Sequence, residues 1–392
     1  MKTTKRVPLA PAEPLPALDA YLRPFHVHFK RSEATHTLER YLTGMLTQHP
    51  NKNCDTIAQV VPDTSEQSLQ GLLTAMRWDQ DDLNRQRVQD LLTLPSEGDA
   101  ALIFDDTGFA KQGKSSVGVA RQYSGTLGKR GNCQVTVNCH YAERTIAWPV
   151  ATRLYLPKEW TDDAQRLHKA KVPKDITFQT KPQIALALLD QADAWKVPYA
   201  AVVADADYGD NPNFLAGLEK RHKRYVVEVR KDFRVALTPD GPALRAEDVV
   251  AAPLRRAWRT IRWREGSQGW LKGRFVALRC WRVPSKEAAR VEGWLLGERS
   301  DKRKYHWSNF GSGAHLEEMV EYGHRRWGVE QFHEQSKELL GWDQYQGRLW
   351  PGFHRHSVLV MLAYSFLVKL EWEQREQVTL RGRPREAFSP SA

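Results

Sequence analysis

Cysteine is scarce in this chain: Cys54, Cys133, Cys139 and Cys280 are the only four in 392 residues, and none stands in a C-x-x-C or other zinc-ligand spacing. That usage excludes a disulfide framework and a structural zinc, and it predicts cytosolic thiols. Long apolar runs are missing as well. The longest, Val358 to Val368, is 11 residues and contains Ser365, well short of the roughly 20 that a membrane span needs. No membrane partner is therefore expected. Met1 to Ala20 is broken by Pro8, Pro11, Pro14 and Pro16, so no secretory leader is expected either. An acidic surplus is the third absence. The formal charge is +11 and the pI near 9.4, which draws polyanions and makes nucleic acid the favoured partner class.

What is present falls into segments. Residues 1–95 read as helical after a proline-rich lead-in, with apolar-periodic stretches at Tyr41–Leu46, Thr56–Val61 and Ser68–Leu73 separated by turn signals. Two readings stand for this region: a DNA-binding helix-turn-helix opened by Lys52 and Thr56, or a helical cap on the next domain. From residue 96 the texture changes to strands. Ala101-Leu-Ile-Phe104 is a short buried run ending in Asp105-Asp106-Thr107-Gly108, followed by strand candidates at Ser116–Tyr123, Gln134–Tyr141 and Thr145–Leu156. A helix at Pro182–Trp195, a strand at Ala200–Ala204, a helix at Pro212–Arg221 and a strand at Tyr225–Val229 come next. Antiparallel strands followed by this alternation predict an α/β mixed sheet with flanking helices, in the order of the ribonuclease-H-like fold. Residues 96–230 form its first part and 311–370 its second. Between them, 231–310 is Arg- and Trp-rich with strand-like alternation, a β-rich insertion. A basic tail, 371–392, closes the chain.

Three carboxylates stand out. Asp105 and Asp205 each directly follow a short apolar run, and residues at strand carboxyl ends gather along one rim of an open sheet, where ligands bind. The third is in Tyr322–Lys337, read as a helix with Ser312 as N-cap and Gly341 at its end. At about 100° per residue, Tyr322, Arg326, Glu330 and Lys337 project from one narrow face. A carboxylate among a phenol and two cations suits a metal site that also holds phosphate, and hard divalent cations prefer such oxygen ligands. The competing accounts are ordinary: Asp105 or Asp106 opens a turn, Asp207 or Asp210 caps the helix at Pro212, and Arg326–Glu330 is a surface i,i+4 pair. Gly323 and Gly328 each cost a helix about 1 kcal/mol relative to Ala, which leaves a kink or an early break open as the alternative to one continuous helix.

The block Asp105-Asp-Thr-Gly-Phe-Ala-Lys-Gln-Gly-Lys114 with Ser116–Gly125, the block Val203-Ala-Asp205-Ala-Asp-Tyr-Gly209, and Tyr322 through Lys337 together resemble the DDE transposases of bacterial insertion sequences, in the branch with a Tyr-Arg-Glu-Lys signature. The resemblance implies Asp105, Asp205 and Glu330 as catalytic residues and ligands of two Mg²⁺ ions, with Mn²⁺ able to substitute. Asp105 is chosen over Asp106 by the family block, and Asp205 over Asp207 because it directly follows the apolar run. Tyr322, Arg326 and Lys337 are implied as phosphate-binding, although Tyr322 lies one residue farther from Arg326 than the branch spacing. The implied reaction is Mg-dependent cut-and-paste transposition on double-stranded DNA, at terminal inverted repeats and a target, by a homodimer in the DNA complex. A bacterial, nucleoid-associated protein is implied. The rival reading is a transposase-derived DNA-binding protein without cleavage activity. A small-substrate phosphohydrolase is a weaker rival, because Asp105-Asp-Thr lacks the second acid two residues on.

Further DNA contacts are expected at Trp270, the most exposed candidate among the tryptophans of the insertion, as a stacking platform, and at Lys111 and Lys114 in the links after Asp105. The alternatives are core tryptophans and solvated lysines. The tail Arg381-Gly-Arg-Pro-Arg385 has the form of a minor-groove hook, or of a plain tail.

Overall fold

The computed structural model describes residues 8–266, 269–284, 289–300 and 303–380; the hook-like Arg381–Arg385 lies outside them. Five α-helices come first among the described residues: α1 (Pro16–Leu22), α2 (Ser32–Leu46), α3 (Cys54–Val60), α4 (Glu66–Thr74) and α5 (Gln80–Leu91). Their starts follow the local chemistry. Asn53, Ser65 and Asp79 accept hydrogen bonds from the first backbone N–H groups of α3, α4 and α5, contacts worth about 1 kcal/mol each. Leu38, Leu42, Leu69 and Leu72 are fully buried in one core with Leu359 and Leu362 of the last helix. Arg87 is buried too, its guanidinium donating to the carbonyls of Pro149 and Val150 and to Ser365 Oγ. The helices thus sit as a cap on the sheet. Lys52 is buried, its ammonium donating to the carbonyls of Met45 and Thr47, which takes that side chain away from the DNA contact one reading gave it.

The sheet begins with β1 (Ala101–Ala110), β2 (Ala120–Ser124), β3 (Lys129–Ala142) and β4 (Ala147–Leu154). After the short α6 (Lys158–Thr161) and α7 (Ala164–Lys169) come α8 (Lys181–Ala194), β5 (Ala201–Ala204), α9 (Ala206–Gly209), α10 (Pro212–Lys220) and β6 (Tyr225–Val229). β3 lies antiparallel between β1 and β4, whereas β5 runs parallel to β1 and β6 parallel to β5. The order β4-β3-β1-β5-β6 is that of ribonuclease-H-like sheets, with β2 added beside the far end of β3. β1 is longer than its apolar run predicts: Asp105 is inside the strand, because β3 pairs with β1 from Ala101 through Ala110.

The Arg- and Trp-rich segment contributes β7 (Arg234–Ala236), β8 (Leu244–Arg245), α11 (Ala246–Ala251), β9 (Arg259–Gly266), β10 (Gly269–Arg282), β11 (Val291–Arg299) and β12 (Lys304–Ser308). It is joined to the sheet rather than set apart, because β12 pairs antiparallel with β6. Twelve strands of the described residues therefore form one sheet. The predicted single helix is two, α12 (Leu316–His324) and α13 (Trp327–Glu338), interrupted at Arg325-Arg326. α12 begins after His315, not Ser312, and α13 stops at Glu338, before the left-handed Gly341. Gly328 is required by packing: a Cβ there would lie 2.7 Å from Cβ of Ala147 on β4. The long α14 (Trp350–Leu380) completes the fold. None of the helices among the described residues is long and apolar enough to cross a membrane.

Candidate active site

Parallel register brings the two aspartates together. Phe104 is level with Ala204, so the next residues, Asp105 and Asp205, stand side by side where β5 ends and β1 continues. Side chains alternate along a strand. Phe104 and Ala204 belong to the core on the α8 side, and Ile103 and Val203 to the core beneath α12. Asp105 therefore emerges on the α12–α13 side, and Asp106 on the other. Asp106 is occupied there: it pairs with Lys181 at 2.5 Å and accepts a short hydrogen bond from the Tyr208 hydroxyl. This separation selects Asp105 rather than Asp106 for the shared site. Asp207 is turned outward onto Arg230, leaving Asp205, whose carboxylate caps α9 by accepting from the N–H groups of Asp207 and Tyr208.

Above the pair is the α12–α13 junction. Arg326 reaches down with Nη2 3.4 Å from Asp105 Oδ2 and 3.8 Å from Glu330 Oε1. Both carboxylates thus face the same nitrogen, and they are no farther apart than those two distances combined. Burial pushes the Asp105 carboxyl up to about 7, with Arg326 pulling against it and the neighbouring Asp205 and Asp106 adding to it. Burial likewise raises Asp205 to about 6, opposed by Arg326 and reinforced by Asp207 and Asp106. Burial works against the charge of Arg326, but the carboxylates of Asp105, Asp205, Glu330 and Glu228 more than offset it. Crowded carboxylates around one guanidinium are a set that added positive charge relieves.

Lys337, two turns beyond Glu330, donates to Thr107 Oγ1 at 2.6 Å and to the Gly108 carbonyl at 3.1 Å, which fastens α13 to β1 just past Asp105. Burial lowers its ammonium to about 8. Tyr322 is not brought to this cluster. The break between the helices turns it away, and its buried ring packs against Phe310 with Arg325 stacked over it. It lines a cleft with Asp99 and Arg325 near the start of β1. Lys111 is also drawn in, its ammonium donating to the carbonyls of Asp343 and Tyr345. Lys114 is exposed. Trp270 is 52% exposed at the β9–β10 hairpin tip, whereas Trp258 is buried.

Three residues of the site were not read from the sequence. Asn138, directly across from Asp105 on β3, donates to the Asp105 carbonyl and lies 3.0 Å from the buried His333 Nε2 on α13. The available signal was the alternation of Gln134, Thr136, Asn138 and His140 along one face of that strand. Glu228 on β6 lies 3.5 Å from Arg326 Nη1; it follows Tyr225-Val-Val227 as Asp205 follows its own apolar run.

The donor set, three carboxylates with no sulfur or imidazole among them, fits a hard divalent cation. In the arrangement described, no three His, Cys, Asp or Glu side chains among the described residues are clustered tightly enough to hold an ion. Arg326 stands between Asp105 and Glu330.

Comparison with known proteins bears on the family. A family model described as DDE superfamily endonuclease matches residues 24–270, and one described as Transposase DDE domain matches residues 179–366. A probable transposase for insertion sequence element IS701 from Microchaete diplosiphon is 26% identical over 321 residues, covering 80% of this chain and 77% of its own. The NurA nuclease from Sulfolobus solfataricus overlaps 77% of this chain and 94% of its own, but at 9% identity and a TM-score of 0.26 it carries no weight. DDE-type domains use divalent metal ions to transfer polynucleotides, and DNA is their substrate. The endonuclease model matches more than half of the chain's length, so the chain belongs to the DDE superfamily of endonucleases, and it is similar to the DDE transposases within it.

Proposed function

We propose that this transposase excises an insertion sequence by Mg²⁺-dependent cleavage at the element's terminal inverted repeats and joins the freed ends to target DNA. Asp105, Asp205 and Glu330 are the residues assigned to hold the metal ions, with Mn²⁺ a working substitute. The observation that carries this reading is the level pairing of Asp105 with Asp205 beneath the Glu330 helix. Bound cations would supply an activated water nucleophile and stabilise the leaving oxygen.

The chain's own residues do the positioning. Arg326 is placed to accept a phosphate bidentately once it leaves Asp105, since its guanidinium is a planar fork that matches a phosphate edge. Lys337, anchored on Thr107, presents a point charge one step along β1. Asn138 and His333 lock α13 to β3 and so fix the height of Glu330 over the aspartates. Lys114 adds a backbone contact, and Trp270 a face on which an unpaired base stacks. Tyr322 and Lys111 are assigned to holding the site together rather than to DNA. Two element ends are brought together by a homodimer on the DNA, and the protein works on the bacterial nucleoid.

Incubation with an end-labelled duplex carrying the flanking inverted repeat and Mg²⁺ tests the reading. A product ending in a 3′-hydroxyl is expected, and Asp105→Ala, Asp205→Ala and Glu330→Ala each abolish it while retaining DNA binding. Binding without any cleavage in Mg²⁺ or Mn²⁺ by the unaltered protein would instead make it a DNA-binding relative.

A further inference from the structure

The row of acids beneath Arg326 has a third strand in it. Val227 of β6 is level with Ala204 of β5, which is level with Phe104 of β1. The following residues, Glu228, Asp205 and Asp105, therefore form a row across three adjacent parallel strands, on the same face of the sheet. Arg326 lies along this row like a bar. Nη2 is 3.4 Å from Asp105 and Nη1 is 3.5 Å from Glu228, the two acids on either side of Asp205. The backbone under Glu228 is fixed relative to Asp205, because α9 packs so tightly on β6 that a Cβ at Gly209 would meet the Glu228 carbonyl oxygen at 2.0 Å. Among the described residues Arg326 Nε is buried without a hydrogen-bond partner, so the guanidinium is held by its two ends.

This geometry sets two demands on one side chain. A cation on Asp105 and a guanidinium against the same carboxylate repel each other, so Arg326 has to release Asp105 when the ion binds. A buried guanidinium released with no partner is costly. Glu228 is already within reach of the other end of the fork.

We propose that Glu228 is a positioning residue that retains Arg326 as a divalent cation displaces it from Asp105, so that the arginine is an internal counter-ion for the aspartate pair before the ion binds and is handed to Glu228 on loading. The inference rests on the reading of Asp105, Asp205 and Glu330 as cation ligands. Glu228 itself does not ligate the ion.

Calorimetric titration of the full chain with Mn²⁺ at pH 8, without DNA, tests it in Glu228→Gln, Arg326→Ala and the double variant, with Asp105→Asn as control. Glu228→Gln is expected to weaken Mn²⁺ binding by roughly fivefold or more, the lower range of couplings between linked sites. Arg326→Ala removes the competitor and binds at least as tightly as the unaltered protein. Adding Glu228→Gln to Arg326→Ala is expected to change nothing further, which also shows that the glutamine variant leaves the site folded. Equal affinity of Glu228→Gln and the unaltered protein overturns the proposal. So does an equal loss in both backgrounds, which would make Glu228 a ligand or a packing residue. If the unaltered protein and Asp105→Asn bind Mn²⁺ alike or not at all, the metal-site reading fails and the proposal with it.

Discussion

Replacing Asp105 by Asn should stabilise the metal-free protein, and do so only at neutral and alkaline pH. Asp105 is buried within β1, and its carboxyl is pushed up to about 7 in the folded chain, against about 3.9 in an unfolded one. Below pH 4 both states hold the proton, and Asp and Asn are nearly equivalent. As pH rises toward 7 the unfolded chain releases that proton while the folded one keeps it, so folding loses free energy steadily. Above 7 the loss is complete. At about 1.36 kcal/mol per pH unit, the interval sets a ceiling of about 4 kcal/mol. Asp205 shares the crowding and Arg326 would lose one partner, so a gain of about 1–3 kcal/mol at pH 8 is expected. For a chain of this size that is a rise of several degrees in Tm. Thermal melts in EDTA from pH 5 to 8.5 read it directly, and the advantage of Asp105→Asn should grow with pH and level off near pH 8. A variant less stable than the parent at pH 8, or an advantage independent of pH, would refute the reasoning. Mn²⁺ then narrows the gap: at tenfold over its Kd it adds about 1.4 kcal/mol to the parent and nothing to Asp105→Asn.

Gly328→Ala should destabilise the fold by about 1–3 kcal/mol in urea melts, despite the better helix propensity of Ala, because its Cβ meets that of Ala147; a stabilised variant would contradict the packing. Trp270→Ala is expected to leave Tm unchanged and to weaken binding to ends with unpaired bases by roughly 1–3 kcal/mol, whereas Trp258→Ala unfolds the hairpin region at a cost of about 3–5 kcal/mol. Lys114→Ala should lower the slope of log affinity against log salt by about one at constant stability. Lys111→Ala should do the reverse, losing stability through the freed carbonyls of Asp343 and Tyr345 with little change in slope; equal behaviour of the two lysines would undo their assignment.

The central sheet was legible because buried strands are short apolar runs. Ala201–Ala204 and Tyr225–Val229 appear with their bounds nearly intact, and the strand-end rule found both aspartates. β1 was misjudged at Asp105, since a carboxylate inside a strand looks like its end until β3 is seen beside it. The same rule applied to β6 would have found Glu228, which was passed over as strand interior. Helical periodicity assumed one helix from Tyr322 to Lys337. The break at Arg325-Arg326 removes Tyr322 from the shared face and gives Arg325 to Asp99 and Glu321, while the face Arg326–Glu330–Lys337 survives. Loop lysines were the least readable, because nothing local distinguishes Lys114 in solvent from Lys111 bound to carbonyls 232 and 234 residues away.

A crystal grown with Mn²⁺ above pH 8, with anomalous scattering recorded at the manganese edge, puts the claim to its most direct test. Strong peaks are predicted between Asp105 and Asp205 with Glu330 alongside, and Arg326 moved off Asp105. Manganese bound elsewhere, with Arg326 still resting on Asp105, would contradict the account.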